Sequence, residues 1–157
     1  MLGDDGVGWK VAEEVKPFLP SDSPVVVDCV SLGGISLMEH MIGYDHAVLV
    51  DALAVQGPVG SILILPIEEL PNYSAYHTGS VHDASLQNAL EFGRRLGAKL
   101  PERVVVVGIT ARQVFEFSEE LSEEVGAAVP QAVNAVISIL KELEIPVRLT
   151  NGKAHVS

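Results

Sequence analysis

Two adjacent carboxylates, Asp4 and Asp5, stand between glycines in the segment Gly3-Asp4-Asp5-Gly6-Val7-Gly8, and an amphipathic helical pattern follows at once. Acids in that setting are favoured by the helix dipole and are positioned to hold a cation, while Gly6 and Gly8 allow backbone conformations that a Cβ opposes. Asp and Gly are also common capping residues, so these six positions alone read equally well as an acidic helix start. Two further features bear on the choice: Asp51 closes an apolar run, and Ser80-Val81-His82-Asp83 opens a helical stretch after a long polar loop. Two carboxylates and one imidazole make a mixed oxygen and nitrogen donor set. Such a set suits zinc or nickel better than magnesium, which prefers oxygen ligands. Three protein ligands would leave positions open for substrate or water. Singly, Asp51 is an ordinary turn residue and His82 an ordinary surface one. The spacing is dispersed and the chain has no HExxH or CxxC element.

The elements that must gather these residues alternate in type. Val7, Val11, Val15 and Phe18 recur at helical spacing, and Pro17 and Pro20 end that helix. Pro24 to Val30 is a β-branched run that predicts a buried strand, and Gly33-Gly34 breaks it before a second helix from Ile35 to Ile42. Ala47 to Val50 predicts a strand delivering Asp51 at its C-terminal end, and Ser61 to Leu65 another after the Gly57-Pro58 turn. Residues 66–81 read as a surface loop, Asp83 as the cap of a helix running to about Leu96, and Arg103 to Ile109 as a buried strand. Glu119 to Leu143 is the last helix, which Pro130 should kink or divide. This alternation predicts one α/β domain over residues 1–157, a mostly parallel twisted sheet with helices on both faces, the three-layer αβα arrangement. A turn such as Gly3 to Gly8 normally follows a strand, yet only Met1 and Leu2 precede it, so a first strand is expected to be missing from this chain.

Composition narrows the function. With 157 residues, 48% hydrophobic and 5% aromatic, the chain can build a sizeable core of Val, Ile, Leu and Ala. Its net charge of −11 argues against nucleic acid or anionic membrane as partner, since both select basic surface. The lone Cys29 can form no intramolecular disulfide and reads as a buried thiol in a reducing compartment. No signal-peptide pattern and no bilayer-length apolar run is visible, so a cytoplasmic protein is expected. His40, His46, His77 and His155 read as structural or solvated, Trp9 as a partly exposed packing residue, and the acids of 116–124 as a solvated helix start.

In this order the residues match a known family. The chain resembles the hydrogenase maturation endopeptidases, which trim the C-terminal extension from the large subunit of nickel-iron hydrogenases. The resemblance rests on the GDDGVG turn, Asp28 with Ser31 and Gly33, Asp51-Ala52, Ser80-Val81-His82 with Leu86, Gly108-Ile109, and Leu121-Ser122 leading to Ala128-Val129-Pro130. It runs from Gly3 to about Leu143 and implies a fold of the phosphorylase/hydrolase type. It also implies that Asp5, Asp51 and His82 bind metal, that this metal is nickel carried by the precursor, and that Asp28 has a functional role. Zinc or cadmium could occupy the same donors. Thr110-Ala111 departs from the family's usual residues after Gly-Ile, and the strand that usually introduces the turn is absent, so the natural protein is expected to be longer. A monomer that meets its precursor transiently is expected.

No Ser-His-Asp or Cys-His arrangement is evident, which leaves a metal-bound water, or Asp5 or Asp51 as general base, to make the cut. A rival from another class is a magnesium-dependent phosphoacceptor receiver domain with Asp4-Asp5 as the metal pair, Asp51 as acceptor and Thr110 nearby. It lacks a Lys at a later strand end and leaves the flanking glycines unexplained. A dinucleotide-binding turn would set carboxylates where phosphates need neutral N–H groups.

Overall fold

The computed structural model describes residues 6–28, 34–53, 57–69, 86–111 and 123–148. Its elements, in chain order, are α1 (Val7–Val15), a 3-10 turn (Lys16–Phe18), α2 (Gly34–His40), β1 (His46–Leu53) and β2 (Ile62–Pro66). A second 3-10 turn (Ile67–Glu69), α3 (Leu86–Arg95), β3 (Arg103–Thr110) and α4 (Glu123–Glu142) follow. The fold is mixed α/β around a small sheet of strand order β1-β3-β2. Asp45 accepts from the Glu102 N–H at 2.9 Å at one end, and Leu53 accepts from the Ala111 N–H at 2.9 Å at the other, so β1 and β3 run parallel. Thr110 instead exchanges backbone bonds with Gly60 and Ser61, at 2.7 and 2.9 Å, which sets β2 antiparallel to β3. The connection from β1 to β2 covers only 54–61, too short for the crossover of a dozen or more residues that a parallel return requires.

The chain divides into two compact units, one of residues 1–29, 50–63 and 107–157, the other of 30–49 and 64–106. In the first, α1 turns Val7, Val11 and Val15 inward and packs against α4. Each buried valine contributes about 1.5–3 kcal/mol relative to exposure. The facing stripe of α4 includes Val125, Ala128, Val129, Ala132, Val133 and Val136, all buried at helical spacing. Pro130 does not divide this helix, which runs unbroken for 20 residues. Its ring is exposed, so the hydrogen bond it cannot donate is lost on the watered side, where solvent replaces it. In the second unit α2 packs on α3, and Met38 lies against Gly93, whose added Cβ would stand 3.0 Å from the Met38 Sδ.

Both long helices of known end close the same way. Gly97, at φ +87, donates to Arg94 while Ala98 donates to Gly93, which is the Schellman arrangement ending α3. At the end of α4, Glu144 takes the glycine-type position at φ 61, donating to Lys141 while Ile145 donates to Leu140.

One strand expectation is overturned. Pro24 to Asp28 belongs to no strand, and Val26 is 57% exposed rather than buried; Cys29 and Val30 lie outside the described residues. A β-branched run has strand propensity, but a strand exists only where a neighbour completes its ladder. No described strand pairs with this one. The helical stretches expected to start at Asp83 and at Glu119 are helical from the first described residues, Leu86 in α3 and Glu123 in α4, and their expected starts lie outside the described residues. Trp9 is half-buried and His40 exposed, as expected, while His46 opens β1 with its Nδ1 buried and without a hydrogen-bond partner among the described residues.

Candidate active site

The apolar run His46-Ala47-Val48-Leu49-Val50 makes β1, and its pairing with β3 continues past the run to Leu53. Asp51 therefore lies within the C-terminal part of β1, as the sequence suggested, with Ala52 and Leu53 continuing the strand after it. Ala52 and Leu53 after it are buried at 5% and 1% exposure, while Asp51 itself is half-buried. Core packing behind the acid thus holds its backbone, and the paired strand fixes its direction.

Alternate residues of a parallel strand send N–H and C=O to the same side. Because Asp45 and Leu53 face β3, so do the odd residues between them, and the even residues Val50 and Ala52 present their backbone groups to the outer side of β1. There the Asp51 Oδ1 accepts the Ala52 N–H at 2.8 Å. The bond satisfies a donor that the sheet leaves over, and it orients the carboxylate. Ligating or reacting carboxylates are commonly held by such a bond from behind, since a fixed acid loses less freedom on engaging a ligand.

The start of α1 stands on the same side. Gly6, Val7 and Gly8 are all buried, and a Cβ on Gly8 would overlap the Val50 carbonyl oxygen and lie 3.8 Å from the Asp51 Cα. The start of α1 and the strand acid are thereby brought together at backbone level. Asp4 and Asp5, which lead into Gly6, lie outside the described residues, as do Cys29, Ser80, His82 and Asp83. Asp28 is described, and it is exposed on the irregular segment that follows α1 and its 3-10 turn. Among the described residues no three His, Cys, Asp or Glu side chains converge as a metal-holding group. Thr110 is 2% exposed, with its backbone engaged by Gly60 and Ser61.

Two contributions escaped the sequence reading: the Ala52 N–H that holds the Asp51 carboxylate, and Gly8 as a point of close approach. A backbone donor leaves no mark in a sequence. The second had a signal, the Gly-Val-Gly spacing, which was attributed to backbone freedom and not to space.

This α/β fold with an oriented strand acid beside a glycine-flanked turn defines a class. The family model for the HycI hydrogenase maturation proteases matches residues 10–139. The chain belongs to the hydrogenase maturation protease family, and its activity is that of a peptidase acting in hydrogenase maturation. The particular relatives agree. Protein FrxA of Pyrococcus furiosus is 30% identical over 148 residues, covering 91% of this chain and all of that protein. The hydrogenase expression/formation protein HupD of Rhizobium leguminosarum is 21% identical, covering 94% of this chain and 72% of its own length. Among solved structures, the hydrogenase maturating endopeptidase HybD from E. coli superimposes with a TM-score of 0.75 at 25% identity, covering 94% of this chain and 90% of that one. The phosphoacceptor reading receives no support from these relatives. Among the described residues no helix is long and apolar enough to cross a membrane.

Proposed function

We propose that this peptidase removes the C-terminal extension of a nickel-iron hydrogenase large-subunit precursor after nickel insertion, and that Asp5, Asp51 and His82 recognise the nickel. The metal is part of the substrate in this reading. An incomplete ligand set of two carboxylates and an imidazole gains affinity only when the precursor brings the ion, so precursor without nickel lacks that contribution and is discriminated against. The observation that carries the reading is the Asp51 carboxylate, half-buried in β1 and held by the Ala52 N–H beside the start of α1. A carboxylate so placed can orient a ligand, or take a proton from the water that adds to the scissile carbonyl as the C–N bond breaks and the leaving amine is protonated. Asp28, exposed on its irregular segment, is available to touch the precursor chain.

The test is cleavage of purified precursor, with and without nickel, followed by mass spectrometry of the product. Loss of the C-terminal extension only from nickel-loaded precursor, and no cleavage by Asp51→Ala or His82→Ala, is the expected result. Equal cleavage of nickel-free precursor would overturn the recognition role.

A further inference from the structure

We infer that Gly8 is a positioning residue for this site: its missing Cβ lets the first turn of α1 lie directly against the β1 backbone at Val50 and Asp51, and that approach sets where the strand holds the Asp51 carboxylate. The inference rests on the reading of Asp51 given above. Gly8 has no positive φ, so glycine is not needed there for conformation. It is needed for space. An added Cβ would overlap the Val50 carbonyl oxygen and stand 3.2 Å from its carbon and 3.8 Å from the Asp51 Cα.

The obstructing atoms are the backbone of a paired strand, so no side-chain rotation relieves the overlap. Nor can α1 retreat without cost, because Val7 and Val11, both 0% exposed, and Val15 at 4% anchor its inner face. A side chain at position 8 therefore displaces either the first turn of α1 or the strand at Asp51. The Val50 carbonyl is on the outer side of β1, the side on which the Asp51 Oδ1 takes the Ala52 N–H. The acid pair Asp4-Asp5 is joined to this turn through Gly6 alone. The strand side of the approach thus carries the Asp51 carboxylate on the residue next to the obstructing carbonyl.

The experiment measures kcat and KM for nickel-loaded precursor with the full chain and with Gly8→Ala, Val11→Ala and Asp51→Ala, at a temperature where thermal unfolding shows each variant folded. Misplacing a reacting group by about 1 Å costs on the order of 100-fold in rate, so Gly8→Ala is expected to lose about that much in kcat. Val11→Ala weakens the same helix and adds no atom against the Val50 carbonyl, and its kcat should stay near the wild-type value. Losses in Gly8→Ala and Val11→Ala that simply follow their lost stability, or wild-type kcat in Gly8→Ala, would overturn the inference. Wild-type cleavage by Asp51→Ala would instead sink the reading on which it rests. Should Gly8→Ala not fold, Val7→Ala loosens the same first turn without adding bulk. It must then lower kcat more than Val11→Ala, and equal effects would refute the positioning role.

Discussion

Gly108, in the middle of the Gly108-Ile109 pair, is tied to Leu53 on β1, and the two positions should show strong energetic coupling. A Cβ on Gly108 would overlap the Leu53 Cδ1, stand 2.9 Å from its Cγ and 3.8 Å from its Cβ. Leu53 is 1% exposed, so its side chain has little room to leave. Overpacking of this kind costs about 1–3 kcal/mol, and the reduced freedom of the unfolded chain returns about 0.4–1 kcal/mol, so Gly108→Ala should destabilise by about 1–2 kcal/mol. Leu53→Ala opens a cavity and should cost about 2–5 kcal/mol. In the double variant the two atoms responsible for the overlap are gone, the remaining Leu53 Cβ position is at ordinary contact distance, and the new methyl fills part of the cavity. The double variant should therefore be no less stable than Leu53→Ala alone, which makes the coupling about 1–3 kcal/mol in favour of the pair. Urea unfolding followed by the fluorescence of Trp9, the single tryptophan, gives the four free energies. Additivity within about 0.5 kcal/mol would show that Gly108 is not held small by Leu53 and would refute the packing account of this position.

Two backbone positions of the same left-handed kind should respond with opposite sign. Gly60 has φ +90, and its added Cβ would stand 2.7 Å from the Glu124 carbonyl oxygen, so Gly60→Ala combines strain with a backbone clash and should destabilise by about 1–3 kcal/mol. Glu144, at φ 61, closes α4 with a side chain where glycine is favoured. Glu144→Gly removes about 1–2 kcal/mol of left-handed strain against about 0.5–1 kcal/mol of chain entropy, and should raise the thermal midpoint by about 1–4 °C. Differential scanning calorimetry of both variants decides the matter, and a lowered midpoint for Glu144→Gly would contradict the assignment of its cap.

How much of this was readable in the sequence depended on whether the signal was local. Val7, Val11 and Val15 announced α1 because helical burial repeats within one segment. The apolar runs 47–50 and 103–109 announced strands, and the second is buried on both faces from Val104 onward. The Val25-Val26-Val27 run had the same local signature and gave no described strand, because pairing is a property of two segments and one segment cannot encode it. Of the two outcomes Pro130 allowed, a kink or a division, the division does not occur: its exposed ring and the buried stripe of α4 let tertiary packing carry the helix through.

The site divides along the same line. Asp51 is proposed from its residue type and its place after an apolar run, and its position inside β1 follows from ladder bonds to β3 that extend to Leu53 and Ala111. What makes the acid more than a surface carboxylate is supplied by groups with no side-chain signature: the Ala52 N–H that holds it and the absent Cβ of Gly8. A motif written as Gly-Asp-Asp-Gly-Val-Gly therefore records two different requirements in the same alphabet. In the proposed reading the acids serve through their charge, whereas Gly8 makes room for the Val50 carbonyl, a group 42 positions further along the chain. Substitutions at the two kinds of position should separate accordingly, acids changing what the site binds and Gly8 changing how fast a bound substrate is cut.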